Sequence, residues 1–124
     1  MNKKGDLNKP KSLTVLGSTG SIGKSTLDVV ARHPDKYQIF ALTANQQDEL
    51  LFEQCNQFKP RYAVMLDEQA SQRLRHRIIS AGLKTEVLSG VEGLEQVSAA
   101  PLLLFYALLY VAVAKSRRIK PYTQ

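Results

Sequence analysis

Residues Gly17 to Thr26 read Gly-Ser-Thr-Gly-Ser-Ile-Gly-Lys-Ser-Thr. Glycines, hydroxyls and a lysine at this density suit the holding of phosphate groups, and two architectures do so. A phosphate loop of the ATPase type requires Gly-x-x-x-x-Gly-Lys-Ser/Thr, because its first glycine sits where the backbone turns beneath the phosphates. Gly23-Lys24-Ser25 supplies the end of that pattern, but Ser18 stands where the first glycine is required. The register is wrong by one residue. A dinucleotide site requires a strand, a tight glycine turn and a helix N-terminus whose N–H groups and dipole hold a pyrophosphate. Gly17, Gly20 and Gly23 are spaced three and three, a variant of the usual Gly-x-Gly-x-x-Gly. Gly17 is expected to make the turn, Gly20 to let the backbone approach the phosphates, and Gly23 to let helix and strand pack closely. Ser18, Thr19 and Ser21 would add hydroxyl donors and helix caps. A plain helix-capping turn is the bland alternative. The ATPase alternative would use Lys24 with Asp67, which follows an apolar run as a magnesium-binding Asp would.

The elements around the loop favour the dinucleotide reading. Leu13 to Leu16 is a short β-prone run ending in glycine, which predicts a buried strand. Ile22, Leu27, Val30 and Ala31 then recur at helical spacing, and Pro34 ends the helix. A second strand is predicted over 37–44, so the loop lies inside a βαβ unit. The alternation continues with a helix over 48–58, a strand over 61–66, a helix from Gln69 to about Ala81 and a strand over 85–88. Four short strands separated by helices predict an α/β fold, a parallel sheet with helices on both faces. At the end of the second strand an acid would hold the ribose 2′-hydroxyl of NAD. None stands in Thr43-Ala44-Asn45-Gln46-Gln47, which favours NADP.

Length and composition allow one domain with a modest core, since the chain has 124 residues, 44% hydrophobic and 23% charged. Its formal charge is +6. Lys115, Arg117, Arg118 and Lys120 supply four of those charges from a terminal segment without acids, so the rest of the chain lacks a basic footprint and no nucleic-acid partner is expected. Cys55 is the single cysteine, which excludes an intramolecular disulfide and suggests a buried, inert thiol on a helix. A reducing, cytoplasmic setting fits, because the polar first twelve residues are followed by no apolar signal core. His33 at a helix end and His76 in a basic, solvated-looking helix with Arg73, Arg75 and Arg77 have no second metal ligand at helical spacing. Residues 101–114 form a continuously apolar run, shorter than the roughly 18 residues of a membrane span. A buried or interfacial segment is expected there, although the basic residues that follow are also what a weak membrane anchor would show.

The motif Leu-Thr-Val-Leu-Gly-Ser-Thr-Gly-Ser-Ile-Gly-Lys-Ser-Thr-Leu-Asp-Val-Val resembles the N-terminus of the 1-deoxy-D-xylulose 5-phosphate reductoisomerases. Phe-Glu-Gln-Cys-Asn-Gln-Phe-Lys-Pro-Arg-Tyr-Ala-Val-Met-Leu-Asp-Glu and Thr-Glu-Val-Leu-Ser-Gly-Val-Glu-Gly-Leu are similar to later segments of that family. The likeness runs from about Leu13 to Ala99. It implies an incomplete Rossmann-like sheet over 13–100, preceded by a polar extension over 1–12 and followed by an atypical apolar and basic tail over 101–124. The family uses NADPH and a divalent metal, magnesium or manganese, to rearrange and reduce 1-deoxy-D-xylulose 5-phosphate to 2-C-methyl-D-erythritol 4-phosphate in the non-mevalonate route to isoprenoids. By motif match, Gly17, Thr19, Gly20, Ser21 and Ile22 would lie on NADPH, as would Asn45, Gln46 and Gln47 in the loop after the second strand. That loop departs from the family's usual Gly-Lys/Arg/Ser-Asn-like segment, so a charge-assisted phosphate contact is lost and amide contacts remain. No catalytic residue and no metal ligand of the family has a counterpart here, so the chain is expected to be inactive alone. The family's homodimer contacts would lie largely outside the matched part. Residues 101–124 are expected to be read in a shifted frame or otherwise to replace the native continuation, with a short paralogue carrying its own tail as the alternative. A stand-alone nucleotide-binding module is the rival reading of the whole.

Overall fold

The computed structural model describes residues 9–98. Four strands alternate with four helices: β1 Lys11–Val15, α1 Ser21–Arg32, β2 Tyr37–Ala44, α2 Asp48–Phe58, β3 Tyr62–Met65, α3 Glu68–Ser80, β4 Glu86–Ser89 and α4 Gly90–Val97. The strands form one parallel sheet in the order β1-β2-β3-β4. Right-handed crossovers between strands laid down in sequence order put every connecting helix on the same side. The packing agrees. Leu27 and Val30 of α1, Leu51 and Cys55 of α2, and Leu74 and Ile78 of α3 share one buried cluster with Val15, Leu42 and Met65 of the sheet.

The opposite face is covered by α4, whose Val97 is buried with Ala41 and Val64 while Leu94 packs beside Phe40, Tyr62 and Leu88. Helices therefore lie on both faces, three on one and α4 on the other. Gly93 permits α4 to lie this close, because a Cβ there would stand 2.8 Å from the Leu88 Cβ. Phe40 meets Tyr62 edge to face, with ring centroids 5.4 Å apart. Phe40 reaches that face through a bulge in β2: Leu13 pairs with Ile39 but Thr14 pairs with Ala41, leaving Phe40 as the extra residue. Ile39 and Leu42 consequently share the α1–α3 side although they are three apart in sequence.

Beyond one-residue shifts at the ends of elements, two features differ from expectation. β1 begins at Lys11, because the Lys11 N–H donates to the Lys36 carbonyl at 2.8 Å and the strand pairs with Tyr37 and Gln38. The polar extension is shorter by those two residues. α4 was not anticipated by the strand–helix alternation. It starts at Gly90, whose φ of +71° turns the chain sharply out of β4. The expectations for residues 101–124, including the packing of the apolar run and its membrane affinity, lie outside the described residues. No described helix is long and apolar enough to cross a membrane.

Candidate functional site

The turn between β1 and α1 is built from three glycines with different duties. Gly17 has φ +63°, a left-handed conformation that reverses the chain and that a side chain would strain. The Gly20 N–H closes the turn on the Gly17 carbonyl at 3.0 Å, and the Lys24 N–H makes the first helical bond, to the Gly20 carbonyl, at 2.9 Å. Gly23 is pressed onto the turn: a Cβ there would stand 2.3 Å from the Gly17 oxygen and 2.5 Å from the Ser18 Cα. Helix and turn can touch only because position 23 has no side chain. Gly20 is different, since its Cβ would meet nothing nearer than the Gly17 oxygen at 3.5 Å. The protein itself does not need a glycine there. The emptiness beside Gly20 fits a ligand that approaches the backbone.

The α1 N-terminus faces the same space. The amides of Ile22 and Gly23 precede the first helical bond and make none to the carbonyls of Ser18 or Thr19, and the helix dipole adds partial positive charge at this end. There is no acidic residue in the first turn to oppose an anion. Gly17, Gly20, Ser21 and Ile22 are exposed and Thr19 is half-buried.

Asn45, Gln46 and Gln47 follow β2 at the same, carboxyl edge of the sheet, and all three are exposed. Their backbone is tied to the exit of β3: the Leu66 N–H donates to the Ala44 carbonyl and the Asp67 N–H to the Asn45 carbonyl, each at 3.0 Å. The structure thus brings the eight anticipated site residues to one edge, in two segments next to adjacent strands. Asp48, just beyond, is the acid closest in sequence to this loop. Its side chain is only 10% exposed and accepts from the Nε of Arg73 and of Arg77, each at 3.2 Å. Burial alone would raise its pKa, but the two arginine bonds and the Arg73 charge outweigh burial and leave it lowered. Asp48 is spent on α3 and is not offered to a ribose.

Several side chains serve otherwise than expected. The Ser18 hydroxyl is fully buried and donates to Gln54 Oε1 at 2.6 Å, so it is neither a helix cap nor a donor to a ligand. The α1 N-cap is Gly20, without a side-chain bond. Asp67, the magnesium candidate of the ATPase reading, caps α3: its carboxylate accepts the Ala70 N–H at 2.9 Å. The arginines of α3 are not merely solvated, because Arg73 and Arg77 hold Asp48 and Arg75 donates to the Val87 carbonyl at 3.0 Å. Cys55 is buried as expected, and burial pushes its thiol up to about 12. Among the described residues no group of three His, Cys, Asp or Glu side chains could hold a metal ion, so the residues present do not fit a divalent-metal site.

Two organisers of the site were missed by sequence reasoning, Thr43 and Gln54. Thr43 Oγ1 accepts the Gly17 N–H at 3.0 Å and the Thr43 carbonyl accepts the Ser18 N–H at 2.8 Å. Gln54 bonds Ser18 twice, at its hydroxyl and at its carbonyl. A signal for Gln54 existed: it stands on the buried stripe of α2 with Leu51 and Cys55, where a polar residue needs a partner. An open cleft of about 1000 Å³ lies at the other end of the sheet, beside Lys59, Arg61 and Lys84, and contains none of the anticipated residues.

A parallel sheet with helices on both faces, and a glycine turn leading from β1 into α1 at the carboxyl edge, define a Rossmann-like α/β domain. Residues 13–106 match the family profile of 1-deoxy-D-xylulose 5-phosphate reductoisomerase, and the chain belongs to that family. The match continues past Ala99, the expected end of the likeness, into the first residues of the apolar run. A reductoisomerase of Nitrosomonas europaea is 60% identical over 95 residues, which are 77% of this chain and 23% of the relative. The chain thus spans about a quarter of the length of the curated relatives it matches. Among solved structures, a reductoisomerase from Zymomonas mobilis in complex with NADPH superposes with a TM-score of 0.68 at 37% identity, covering 73% of this chain and 23% of that one. A reductoisomerase in complex with NADPH, fosmidomycin and magnesium gives 0.70 at 36% identity, covering 73% and 22%.

Proposed function

We propose that this chain is the NADPH-binding, amino-terminal part of a 1-deoxy-D-xylulose 5-phosphate reductoisomerase. The observation that carries the reading is the space beside Gly20: a turn that needs glycine at 17 and 23 for its own geometry carries a third glycine that its own packing does not require. The pyrophosphate would sit there, on the amides at the start of α1, with Gly17, Thr19, Gly20, Ser21 and Ile22 around it. The ribose 2′-phosphate would meet the amide side chains of Asn45, Gln46 and Gln47, and the charge of Asp48, the acid next to them in sequence, is taken up by Arg73 and Arg77. NADPH bound to the similar structures supports this assignment. When bound, the cofactor supplies the hydride.

On this reading the chain binds and orients the cofactor and does not turn over substrate by itself. The metal-dependent rearrangement belongs to parts of the relatives beyond the quarter matched here, as do the contacts of a homodimer, and the setting is cytoplasmic. Titrating the chain with NADPH, NADH and magnesium-ATP, and following the nicotinamide fluorescence of the two reduced dinucleotides, tests the proposal. NADPH should bind more tightly than NADH, with magnesium-ATP weakest, and Gly20→Val should abolish NADPH binding in a folded protein. Binding of magnesium-ATP that is lost in Lys24→Ala would instead establish the ATPase reading.

A further inference from the structure

The carbonyl of the Ser18–Thr19 peptide is held by a side chain from outside its own strand and helix. Gln54, on α2, donates from Nε2 to the Ser18 carbonyl at 2.9 Å and accepts the Ser18 hydroxyl on Oε1 at 2.6 Å. A carbonyl can only accept, so the amide nitrogen must face it, which leaves Oε1 for the hydroxyl. Both residues are buried and 36 positions apart in sequence. The described peptides are trans, and in a trans peptide the N–H points opposite to the C=O. Fixing the Ser18 carbonyl toward α2 therefore turns the Thr19 N–H away from α2. Thr43 anchors the two preceding peptides, accepting the Gly17 N–H on Oγ1 and the Ser18 N–H on its carbonyl, so the turn is pinned on both sides of its left-handed glycine.

We infer that Gln54 is a positioning residue for the dinucleotide: it sets the plane of the Ser18–Thr19 peptide and so aims the Thr19 N–H at the pyrophosphate. This rests on the NADPH-binding reading above. Gln54 touches no ligand itself. Losing it leaves the Ser18 carbonyl buried without its donor, and the peptide is then free to rotate away from the orientation the ligand needs.

Gln54→Met and Gln54→Glu, with NADP⁺ as an acid-stable probe, test the inference. Gln54→Met keeps the length and removes both bonds, and it should weaken NADP⁺ at least about tenfold in protein that still melts cooperatively. Gln54→Glu carries the sharper readout. Ionised at about pH 8, the introduced carboxylate cannot donate to the Ser18 carbonyl, whereas protonated at about pH 5 the carboxyl restores both bonds, because burial raises the pKa of such a group. The variant-to-wild-type ratio of dissociation constants should start near tenfold at the higher pH and fall toward one at the lower. Lys24 and Asp28 of α1 and Glu53 of α2 share the cleft beside Gln54, and they are present in both proteins, so the ratio reports the substituted side chain. A purely structural role would lower the melting temperature and leave the affinity of folded protein unchanged at every pH. A ratio flat across pH, or variants that bind within about twofold of wild type, would overturn the inference. If Gln54→Met does not fold, Gln54→Glu decides alone. If the wild type itself fails to bind NADP⁺, the functional reading fails, and amide hydrogen exchange then judges the clamp: faster exchange at Ser18 and Gly20, whose N–H groups donate to the Thr43 and Gly17 carbonyls, in Gln54→Glu at the higher pH supports it, and unchanged exchange refutes it.

Discussion

Gly20 and Gly23 lie on the same turn, yet replacing each should produce opposite results. An alanine Cβ at position 23 would stand 2.3 Å from the Gly17 oxygen, 2.5 Å from the Ser18 Cα and 2.9 Å from the Gly17 carbonyl carbon. Those are backbone atoms, so no side chain can swing aside, and α1 must retreat by roughly 1 Å to recover van der Waals separation. Overpacking of this kind costs about 1–3 kcal/mol, against which the helix preference of alanine over glycine returns roughly 1 kcal/mol. Because the clash is with rigid backbone we expect the upper end, a net loss of about 2 kcal/mol. In a domain this small that lowers Tm by on the order of 10 °C. At position 20 the same methyl group meets only the Gly17 oxygen at 3.5 Å, and φ −81° with ψ 173° suits any residue. Alanine is a poorer N-cap than glycine but also reduces the freedom of the unfolded chain, and these effects of about 0.5–1 kcal/mol oppose each other. Gly20→Ala should therefore melt within a few degrees of wild type, yet weaken NADPH about tenfold or more by filling the space meant for phosphate. Circular-dichroism melts and NADPH titrations of both variants decide the matter. A Gly20→Ala protein that melts as low as Gly23→Ala, or that binds NADPH as tightly as wild type, would show that the space beside Gly20 is not kept for phosphate.

Asp48→Asn removes the charge that Arg73 and Arg77 share, and should cost about 1–2 kcal/mol in urea unfolding, the arginines being partly exposed. The folded carboxyl titrates below its unfolded value, so its contribution is complete above about pH 4 and is lost as pH falls through the lowered folded pKa. The stability difference between wild type and Asp48→Asn should accordingly be constant near neutrality and shrink below about pH 4. Asp67→Ala should cost about 1 kcal/mol, as the loss of an N-cap does, and should leave nucleotide binding unchanged. Lys24→Ala should change neither stability nor NADPH affinity appreciably, since Lys24 is an exposed helix residue. The Cys55 thiol should react with a thiol reagent at about pH 8 only in denaturant, because it is buried and its pKa is raised.

Most of the fold could be read from the sequence because its signals are local. The apolar spacing of Leu27 and Val30, the β-branched and aromatic run of β2, and Pro34 each mark an element by its own composition. α4 escaped for the opposite reason: it has eight residues, follows β4 without a loop, and lies flat on the sheet through Gly93, a packing requirement invisible in one dimension. The bulge at Phe40 was hidden likewise, since it depends on the register with β1. Within the site, the duties of Gly17 and Gly23 follow from the demands of a turn and a close crossing, and both were legible. Ser18 was misread because a serine beside a glycine turn resembles a donor to phosphate until its partner, 36 residues away, is known. Asp67 was ambiguous because a carboxylate after a strand can cap a helix or hold a metal. Only the Ala70 N–H at 2.9 Å chooses between them.

Amide chemical-shift mapping of the ¹⁵N-labelled chain with NADPH tests the central claim most directly, because it reports where the cofactor sits as well as whether it binds. Saturable shifts are expected at Gly17, Thr19, Gly20, Ser21 and Ile22, with a second set at Asn45, Gln46 and Gln47 that is weaker with NADH. Shifts centred instead on Lys59, Arg61 and Lys84 at the opposite end of the sheet, or no shifts in folded protein, would contradict it.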